Sequence, residues 1–291
     1  MSTAVVDVNK DQRIPVASLI VMGWAAVLIV ACYFPVLVRL VNQWMNDEDM
    51  GHGFFVPAIA AWIAWQKFPE AQSVPAVPDW RGLILVCWGG AQLFIGTLGA
   101  ELFLSRTALI FTIIGTVWLL GGVRYLRVFS FPLFLLFFMV PIPQIVYTQI
   151  TFPLQMFASQ VAEMSLNMLG IAIGRDGNVL ELANMKLNVV EACSGIRSLL
   201  SLTFLSLVYG YFFEVNTKIR VLLFLSTIPI AILANAGRVT VTGILGEYKP
   251  AWAEGTVHEA EGWLIFMIAL LIMVGVHQIL TRVWAYAQRR S

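Results

Sequence analysis

Long apolar runs recur along the whole chain, and they constrain its fold more than any other feature. A helix that crosses a bilayer needs about 20 mostly apolar residues. Eight runs approach that length, at roughly 16–40, 53–66, 82–99, 104–121, 125–147, 195–213, 219–236 and 257–284. The second run is short, and Pro132, Pro141 and Pro143 interrupt the fifth. Because the chain is 59% hydrophobic and only 12% charged, it is predicted to be an all-α polytopic membrane protein with about eight transmembrane helices.

The stretch between the fifth and sixth runs, residues 148–194, has a different character. Its first half has apolar residues at helical spacing, which predicts a helix that lies along the interface or packs on the bundle. Turn-forming residues follow at 174–178. A short β-hairpin is predicted next, with strands at Val179–Leu182 and Met185–Val190, just before Cys193.

The charge, the cysteine content and the lack of a linker further limit the possible partners and domain organisation of the chain. The net charge is +1 and no basic tract occurs, which argues against a nucleic-acid partner. Three cysteines lie far apart and do not form a disulfide framework. No repeat or long linker divides the chain, so a single integral membrane domain is predicted over residues 1–291, with its core at about 20–285.

The distribution of lysine and arginine predicts the orientation of the chain in the membrane. With the N-terminus in the cytoplasm, the inner side holds 11 of the 18 basic residues: Lys10, Arg13, Lys67, Arg81, Arg124, Arg127, Lys218, Arg220, Arg282, Arg289 and Arg290. Both termini are therefore expected to be cytoplasmic. The same span count brings Cys193, Arg238 and His258 to the outer face, since they start the sixth span, follow the seventh and precede the eighth.

Cys193 is the first candidate for chemistry, within a motif that runs from Glu191 to Arg197. A thiol, a carboxylate and a guanidinium are costly at the mouth of a membrane helix, which indicates a functional site. A helix N-terminus and a nearby cation lower the pKa of a thiol. Cys193 is predicted to have both, because it stands at the start of the sixth apolar run and Arg197 follows it by one helical turn. Cys193 is thus predicted to be a nucleophile. The alternative is a small buried side chain.

Arg238 lies at the edge of the seventh run and must meet an anion, a dipole or water, because it cannot lose its proton. It is predicted to stabilise the oxyanion that forms when a thiolate attacks a carbonyl. An interfacial arginine that reaches into water is the alternative. Asn235, one turn earlier, either adds a second donor or caps the helix end.

His258 can move protons in either direction near neutral pH. It is predicted to activate the thiol and to protonate a leaving amine, with Glu254 or Glu261 orienting its ring. The alternative is an interfacial histidine among solvated glutamates. Ligation of a metal by Cys193, His258 and a glutamate lacks a close-spaced ligand pair, so neither a metal nor another cofactor is predicted.

The remaining candidates are weaker. His52, in Gly51-His52-Gly53, is expected to serve structure or a substrate groove rather than catalysis. Cys32 and Cys87 are interpreted as packing residues. His277, deep in the last run with no obvious charged partner, is interpreted as structural.

The motifs EACSGIRSLL, ANAGRVTVTG, VHEAEGW and GHGFFVP together resemble the exosortase/archaeosortase family over roughly residues 20–285. The third of the candidate catalytic positions is a histidine, His258, and in this respect the chain is similar to the bacterial exosortases. The resemblance implies a multi-pass cysteine protease or transpeptidase of the bacterial inner membrane, with its active site at the periplasmic face. Its substrates would be precursor proteins with a C-terminal PEP-CTERM signal. Cys193 would be the nucleophile, Arg238 the oxyanion stabiliser and His258 the acid/base.

The implied reaction passes through a thioacyl-enzyme that water or an acceptor amine resolves. The substrate helix would dock beside the bundle, within the lipid. Two alternatives come from other classes of protein. A membrane acyltransferase would use Cys193 as an acyl carrier, and a non-enzymatic transporter component would carry interfacial polar residues without catalysis.

Overall fold

The computed structural model describes residues 16–183, 185–189, 195–253 and 255–290. Helices account for most of these residues, and a small antiparallel sheet is also present. The chain divides into two compact units, Met1–Ile142 and Pro143–Ser291. The prediction of one integral membrane domain stays a prediction.

The first unit is built around one central helix. Its helices are α1 (Val16–Asn46), α2 (Phe55–Gln72), α3 (Arg81–Leu98), α4 (Leu102–Val128) and α5 (Ser130–Leu135). Two 3-10 helices, Glu48–Phe54 and Leu136–Met139, follow α1 and α5. Helix α4 packs against each of the other four. Accordingly, 44% of its apolar window is buried, compared with 11% for α1.

Glycines spaced seven residues apart let α3 lie close against α4. Gly82, Gly89 and Gly96 all face α4, and a Cβ at Gly96 would lie only 2.6 Å from Ser105 Oγ. Seven residues make almost two helical turns, so the three glycines share one face. Small residues at such spacing allow the close backbone approach on which membrane helices rely. Gly82 meets Leu119, so the two helices are antiparallel.

Polar contacts hold α1 against the same central helix. The Tyr33 hydroxyl lies 2.6 Å from Thr112 Oγ1 and donates to the Ala108 carbonyl at 3.2 Å. Farther along α1, Arg39 lines a crevice with Ser105 near the start of α4. The order of these contacts makes α1 antiparallel to α4.

Because α1 and α3 are both antiparallel to α4, they run in the same direction. The chain between them must therefore return along the length of the unit. Helix α2 lies in this return segment, and its 18 residues cover about 27 Å. That length is close to the hydrocarbon thickness of a bilayer, about 30 Å.

The second unit joins a helix and a sheet to three long helices. It consists of α6 (Gln144–Met168), β1 (Ile173–Asp176), β2 (Val179–Leu182), β3 (Lys186–Asn188), α7 (Ile196–Phe213), α8 (Thr217–Tyr248) and α9 (Gly255–Gln288). Helix α8 packs against α6, α7 and α9. Its contacts with α7 and α9 enclose an apolar core that includes Leu202, Leu223 and Met273.

The segment from 173 to 188 forms three antiparallel strands in the order β1-β2-β3. Leu180 and Val189 from this region pack with Leu166 of α6 and Val239 of α8. Most of the predicted turn at 174–178 is therefore strand β1, which pairs along its length with β2. Strand β2 pairs with β3, but Asn184 and Val190 lie outside the described residues, so the hairpin is not confirmed as predicted.

Long apolar helices confirm the polytopic all-α class in outline, but the count of eight spans is not confirmed. Six described helices are long and apolar enough to cross a membrane: α1, α3, α4, α7, α8 and α9. A bent pair, Ser130–Met139 with Gln144–Met168, would make a seventh if it counts as one span.

The two predicted spans outside this set differ from the others for physical reasons. The run at 53–66 lies in α2, whose last turns carry Lys67 and Glu70 and so dilute its hydropathy. The run at 125–147 is divided among α4, α5, a 3-10 helix and α6. Proline supplies no backbone N–H and disfavours helix before it, so Pro141 and Pro143 end the regular structure there.

Candidate active site

The structure describes some of the predicted site residues and not others. Cys193, Glu191 and Glu254 lie outside the described residues. Arg197 is half-buried in the first turn of α7. The other members of the second unit come from α8 and α9, namely Asn235, Arg238, His258 and Glu261. Arg238, His258 and Glu261 make one connected set of contacts.

The first described residue after the cysteine motif is Gly195, which precedes α7. Its φ of 73° is in the left-handed region that favours glycine. A Cβ added to Gly195 would lie 2.9 Å from the Asn235 amide nitrogen, so this position also demands a close approach. The start of α7 is thereby seated on α8, one helical turn before Arg238.

Asn235 lies within a continuous helix and is 5% exposed. Helix α8 continues to Tyr248 and ends with Lys249 as its C-cap residue. The alternative that Asn235 caps the helix end is therefore wrong, as is the expectation that Arg238 follows the span. Both residues project from inside α8, where they meet the neighbouring helices.

Arg238 and His258 contact each other directly. Arg238 Nη2 lies 3.0 Å from His258 Nε2. A guanidinium only donates, so Nε2 of His258 accepts in this contact. The other ring nitrogen, Nδ1, lies 3.5 Å from Glu261 Oε2.

Two glutamates, Glu254 and Glu261, were proposed to orient His258. Glu261 lies beside the ring, and Glu254 lies outside the described residues. Its side chain is 6% exposed, and that of His258 is 17% exposed. Glu261 follows His258 by three residues in α9, which puts both on one face. The site therefore contains a short chain of contacts from carboxylate to imidazole to guanidinium.

Thr242 supports Glu261, and it was not among the predicted residues. Its hydroxyl lies 3.0 Å from each carboxylate oxygen of Glu261 and 3.0 Å from the Arg238 carbonyl. The single hydroxyl proton serves one of these acceptors at a time. Thr242 has no exposed surface (0%). The spacing of four residues between Arg238 and Thr242 on one helix was the available sequence signal.

Gly262 gives the guanidinium its space. A Cβ at this position would lie 2.9 Å from both Cζ and Nη2 of Arg238. The Nε of Arg238 is buried and has no hydrogen-bond partner among the described residues. Among the described residues, Arg238 thus makes one polar side-chain contact, to His258, and its Nε has no acceptor there.

His52 belongs to the first unit, in the 3-10 helix Glu48–Phe54. Burial lowers the pKa of its imidazole, against the opposing effect of hydrogen bonds with the backbone of Phe138 and Asp49. Next to it, Gly53 lies against the ring of Trp44, whose Nε1 donates to the Met139 carbonyl at 3.0 Å. These contacts are consistent with a structural role.

His277 has a charged partner, contrary to the expectation. Its Nε2 lies 3.0 Å from Glu214 Oε2, and its Nδ1 lies 3.1 Å from the Tyr209 hydroxyl. Burial acts to raise the pKa of Glu214, but hydrogen bonds from the Asn216 backbone and from His277 outweigh it and lower that pKa. The partner was missed because Glu214 is 63 residues away in sequence.

The described residues contain no group of three or more His, Cys, Asp or Glu side chains arranged to hold a metal ion. The connected polar set in the second unit contains an imidazole, a carboxylate, a hydroxyl and a guanidinium, which are groups found in acid–base sites.

The fold and this site define a multi-pass membrane protein with a histidine–arginine centre. A family model described as transmembrane exosortase matches residues 44–275. The chain therefore belongs to the transmembrane exosortase family, a family of membrane protein-sorting enzymes, and the resemblance predicted from its motifs is confirmed. No curated protein and no solved structure matches the chain.

Proposed function

We propose that this chain is a cysteine peptidase or transpeptidase that cleaves the C-terminal PEP-CTERM sorting signal of exported proteins. The observation that carries the proposal is the 3.0 Å contact between Arg238 and His258, next to the helix start that follows Cys193. In thioester chemistry at a peptide bond, a thiol can act as the nucleophile, an imidazole as the acid and base, and a guanidinium as the oxyanion stabiliser.

Cys193 is the proposed nucleophile. Its sulfur attacks the scissile carbonyl as its proton passes to His258 Nε2. The geometry of His258 supports this direction of transfer, because Nε2 is the nitrogen that accepts from Arg238. Glu261, beside Nδ1, stabilises the imidazolium that results.

Arg238 is the proposed oxyanion stabiliser. Protonation of His258 removes the lone pair to which Arg238 donates, and two cations then face each other. The guanidinium is thereby released toward the negative oxygen that forms in the same step. The unoccupied Nε donor of Arg238 supplies a second hydrogen bond for that oxygen.

The leaving amine takes the proton from His258, and the peptide bond breaks. The N-terminal part of the substrate remains on Cys193 as a thioester. Water or an acceptor amine then attacks this thioester and restores the thiol. Hydrolysis and transfer share every step up to this point.

The convergence of the site residues depends on three consecutive helices. Helices α7, α8 and α9 alternate in direction, so the start of α7, the later part of α8 and the start of α9 share one face of the membrane. This holds whatever the number of spans before α7. We assign this face to the periplasm of the bacterial inner membrane, with both termini cytoplasmic, from the bias of basic residues in short loops.

Co-expression with a PEP-CTERM precursor tests the proposal. Cys193→Ala should leave the precursor uncleaved, while Cys87→Ala, a matched change in the first unit, should process it normally. Normal processing by Cys193→Ala, or equal loss in both variants, contradicts the proposal. A transporter component would tolerate Cys193→Ser and His258→Ala, and an acyltransferase would carry a fatty acyl group on Cys193.

A further inference from the structure

A crevice in the first unit is lined by two arginines, and the described residues in its wall include no carboxylate. It has a volume of about 200 Å³ and lies between α1, α3 and α4. Arg39 comes from α1 and Arg106 from α4, and Thr97 of α3 adds a hydroxyl. We call this site the arginine crevice.

Arg106 is the unusual member. Arg106 is only 4% exposed, and its Nε is buried without a hydrogen-bond partner among the described residues. A guanidinium cannot become neutral in a protein. A buried charge without an ion-pair partner is costly, so a ligand that brings a negative charge to Arg106 and accepts from its Nε would lower that cost.

The nearby acids are engaged elsewhere. Glu101 accepts a hydrogen bond at 2.7 Å from a backbone N–H in the first turn of α4. Asp47 accepts one at 3.0 Å from Gln43. Both carboxylates act on Arg106 electrostatically, but no ion pair joins either of them to Arg106 among the described residues.

We propose that the arginine crevice binds the phosphate group of a membrane phospholipid. Two guanidiniums match a phosphate in charge and in the fork geometry of their N–H groups. Basic pockets between membrane helices are known to hold anionic head groups. Arg39 is exposed, so it would meet the ligand at the mouth, while Arg106 meets it inside.

The surroundings favour a lipid over free phosphate as the source. Much of the crevice wall is apolar, including Pro35, Val36 and Leu93. Beside it, Phe34 of α1 is 61% exposed and Phe94 of α3 is 66% exposed. Acyl chains attached to the bound phosphate would cover these side chains, which a free ion could not do.

Native mass spectrometry of the purified full chain in neutral detergent tests the proposal. The probes are phosphatidylglycerol, diacylglycerol with the same acyl chains, inorganic phosphate and a glutamate-rich peptide. Wild type should retain phosphatidylglycerol, and Arg106→Gln should weaken retention about tenfold. Arg39→Gln should weaken it less. Arg124→Gln, an exposed arginine on α4, should have no effect.

Thermal unfolding distinguishes lost binding from a lost fold. Without ligand, Arg106→Gln should melt no lower than wild type, because it removes a buried charge that makes no ion pair among the described residues and interacts with Glu101 and Asp47 only electrostatically. Phosphatidylglycerol should raise the midpoint of wild type and leave that of Arg106→Gln unchanged. Inorganic phosphate acting as strongly as the lipid would support the phosphate site and assign it a soluble ligand.

Three results overturn the proposal. Arg106→Gln could bind phosphatidylglycerol as wild type does, diacylglycerol could bind equally well, or the peptide could bind while the phosphates do not. The last result would reassign the crevice to an acidic peptide segment. None of these assays measures precursor cleavage, so they are independent of the role of Cys193.

Discussion

Two histidines on the same helix each lie near a glutamate, and the two clusters differ in what contacts the imidazole. His258 and His277 are 19 residues apart in α9, or about 28 Å. At His277, Glu214 and Tyr209 lie at 3.0 and 3.1 Å from the two ring nitrogens. At His258, the 3.0 Å partner is a cation, and the carboxylate lies 3.5 Å away.

The difference explains how similar residues take different roles. His277 sits between an anion and a hydroxyl, so its contacts are complete and resist change. His258 accepts from Arg238 through Nε2, the atom proposed to take the proton of Cys193. Arg238 also keeps a buried donor without a partner among the described residues. The proposed oxyanion role of Arg238 depends on this donor.

The largest expected effect separates the two histidines. His258→Ala should reduce precursor cleavage by about a hundredfold to ten-thousandfold, because general acid–base catalysis contributes that much. His277→Ala should leave cleavage per folded molecule unchanged and instead lower thermal stability. Cleavage rates normalised to the folded fraction measure both effects. Equal losses of activity would contradict the distinction between the clusters.

A second prediction concerns the position of the guanidinium. Gly262→Ala should displace Arg238, since the new Cβ would lie 2.9 Å from its Cζ. Misplacing a catalytic group by about 1 Å can cost up to a hundredfold, so we expect a loss of about tenfold or more in cleavage rate.

The matched control is Gly275→Ala in the same helix, where nothing lies within 4 Å of the new Cβ. It should cleave at the wild-type rate. If both alanine variants remain fully active, the observed position of Arg238 is not the one used in the reaction.

A smaller effect is expected from the hydroxyl beneath the site. Thr242→Val removes the donor to buried Glu261 and should cost about 1 kcal/mol in the free energy of unfolding, with a few-fold loss in rate. Thr240→Val is the control, because that hydroxyl donates only to the backbone carbonyl of Ala236. Chemical denaturation and cleavage assays should show a larger change for Thr242→Val, and the reverse order would refute the support role.

The smallest expected effect is a change in stability at acid pH, and it concerns Glu214 beside His277. The pKa of Glu214 is lower in the folded protein than its ordinary value of 4.5. Its contribution to stability is therefore fully present above that value and is lost as the pH falls through the folded pKa. Glu214→Gln should flatten the fall in unfolding midpoint below about pH 4.5. An unchanged acid slope would contradict the assigned interaction.

The sequence predicted those parts of the fold that depend on local pattern. Hydropathy alone identified the six strongly apolar helices. It could not decide the run at 53–66, because α2 mixes apolar residues with Lys67 and Glu70. The packing around α4 indicates that the chain returns along the unit between the parallel helices α1 and α3, and α2 lies in this return segment. The directions of α1 and α3 follow from contacts between helices, and these contacts cannot be read from a short stretch of sequence.

The candidate site was predictable in its members but not in its contacts. Motifs indicated Arg238 and His258, yet the position of Glu261 beside the His258 ring needed the register of α9. Thr242 and Gly262 became visible only once α8 and α9 were packed together. For the same reason His277 was expected to have no charged partner, although Glu214 is adjacent in space.

The most direct test of the central claim is to trap the covalent intermediate on Cys193. Purified enzyme would be mixed with a PEP-CTERM substrate, quenched in acid and digested for mass spectrometry. We predict that the peptide containing Cys193 carries the N-terminal part of the substrate through a hydroxylamine-sensitive thioester. An unmodified Cys193 during active cleavage, or a fatty acyl group in place of the substrate fragment, would contradict the account.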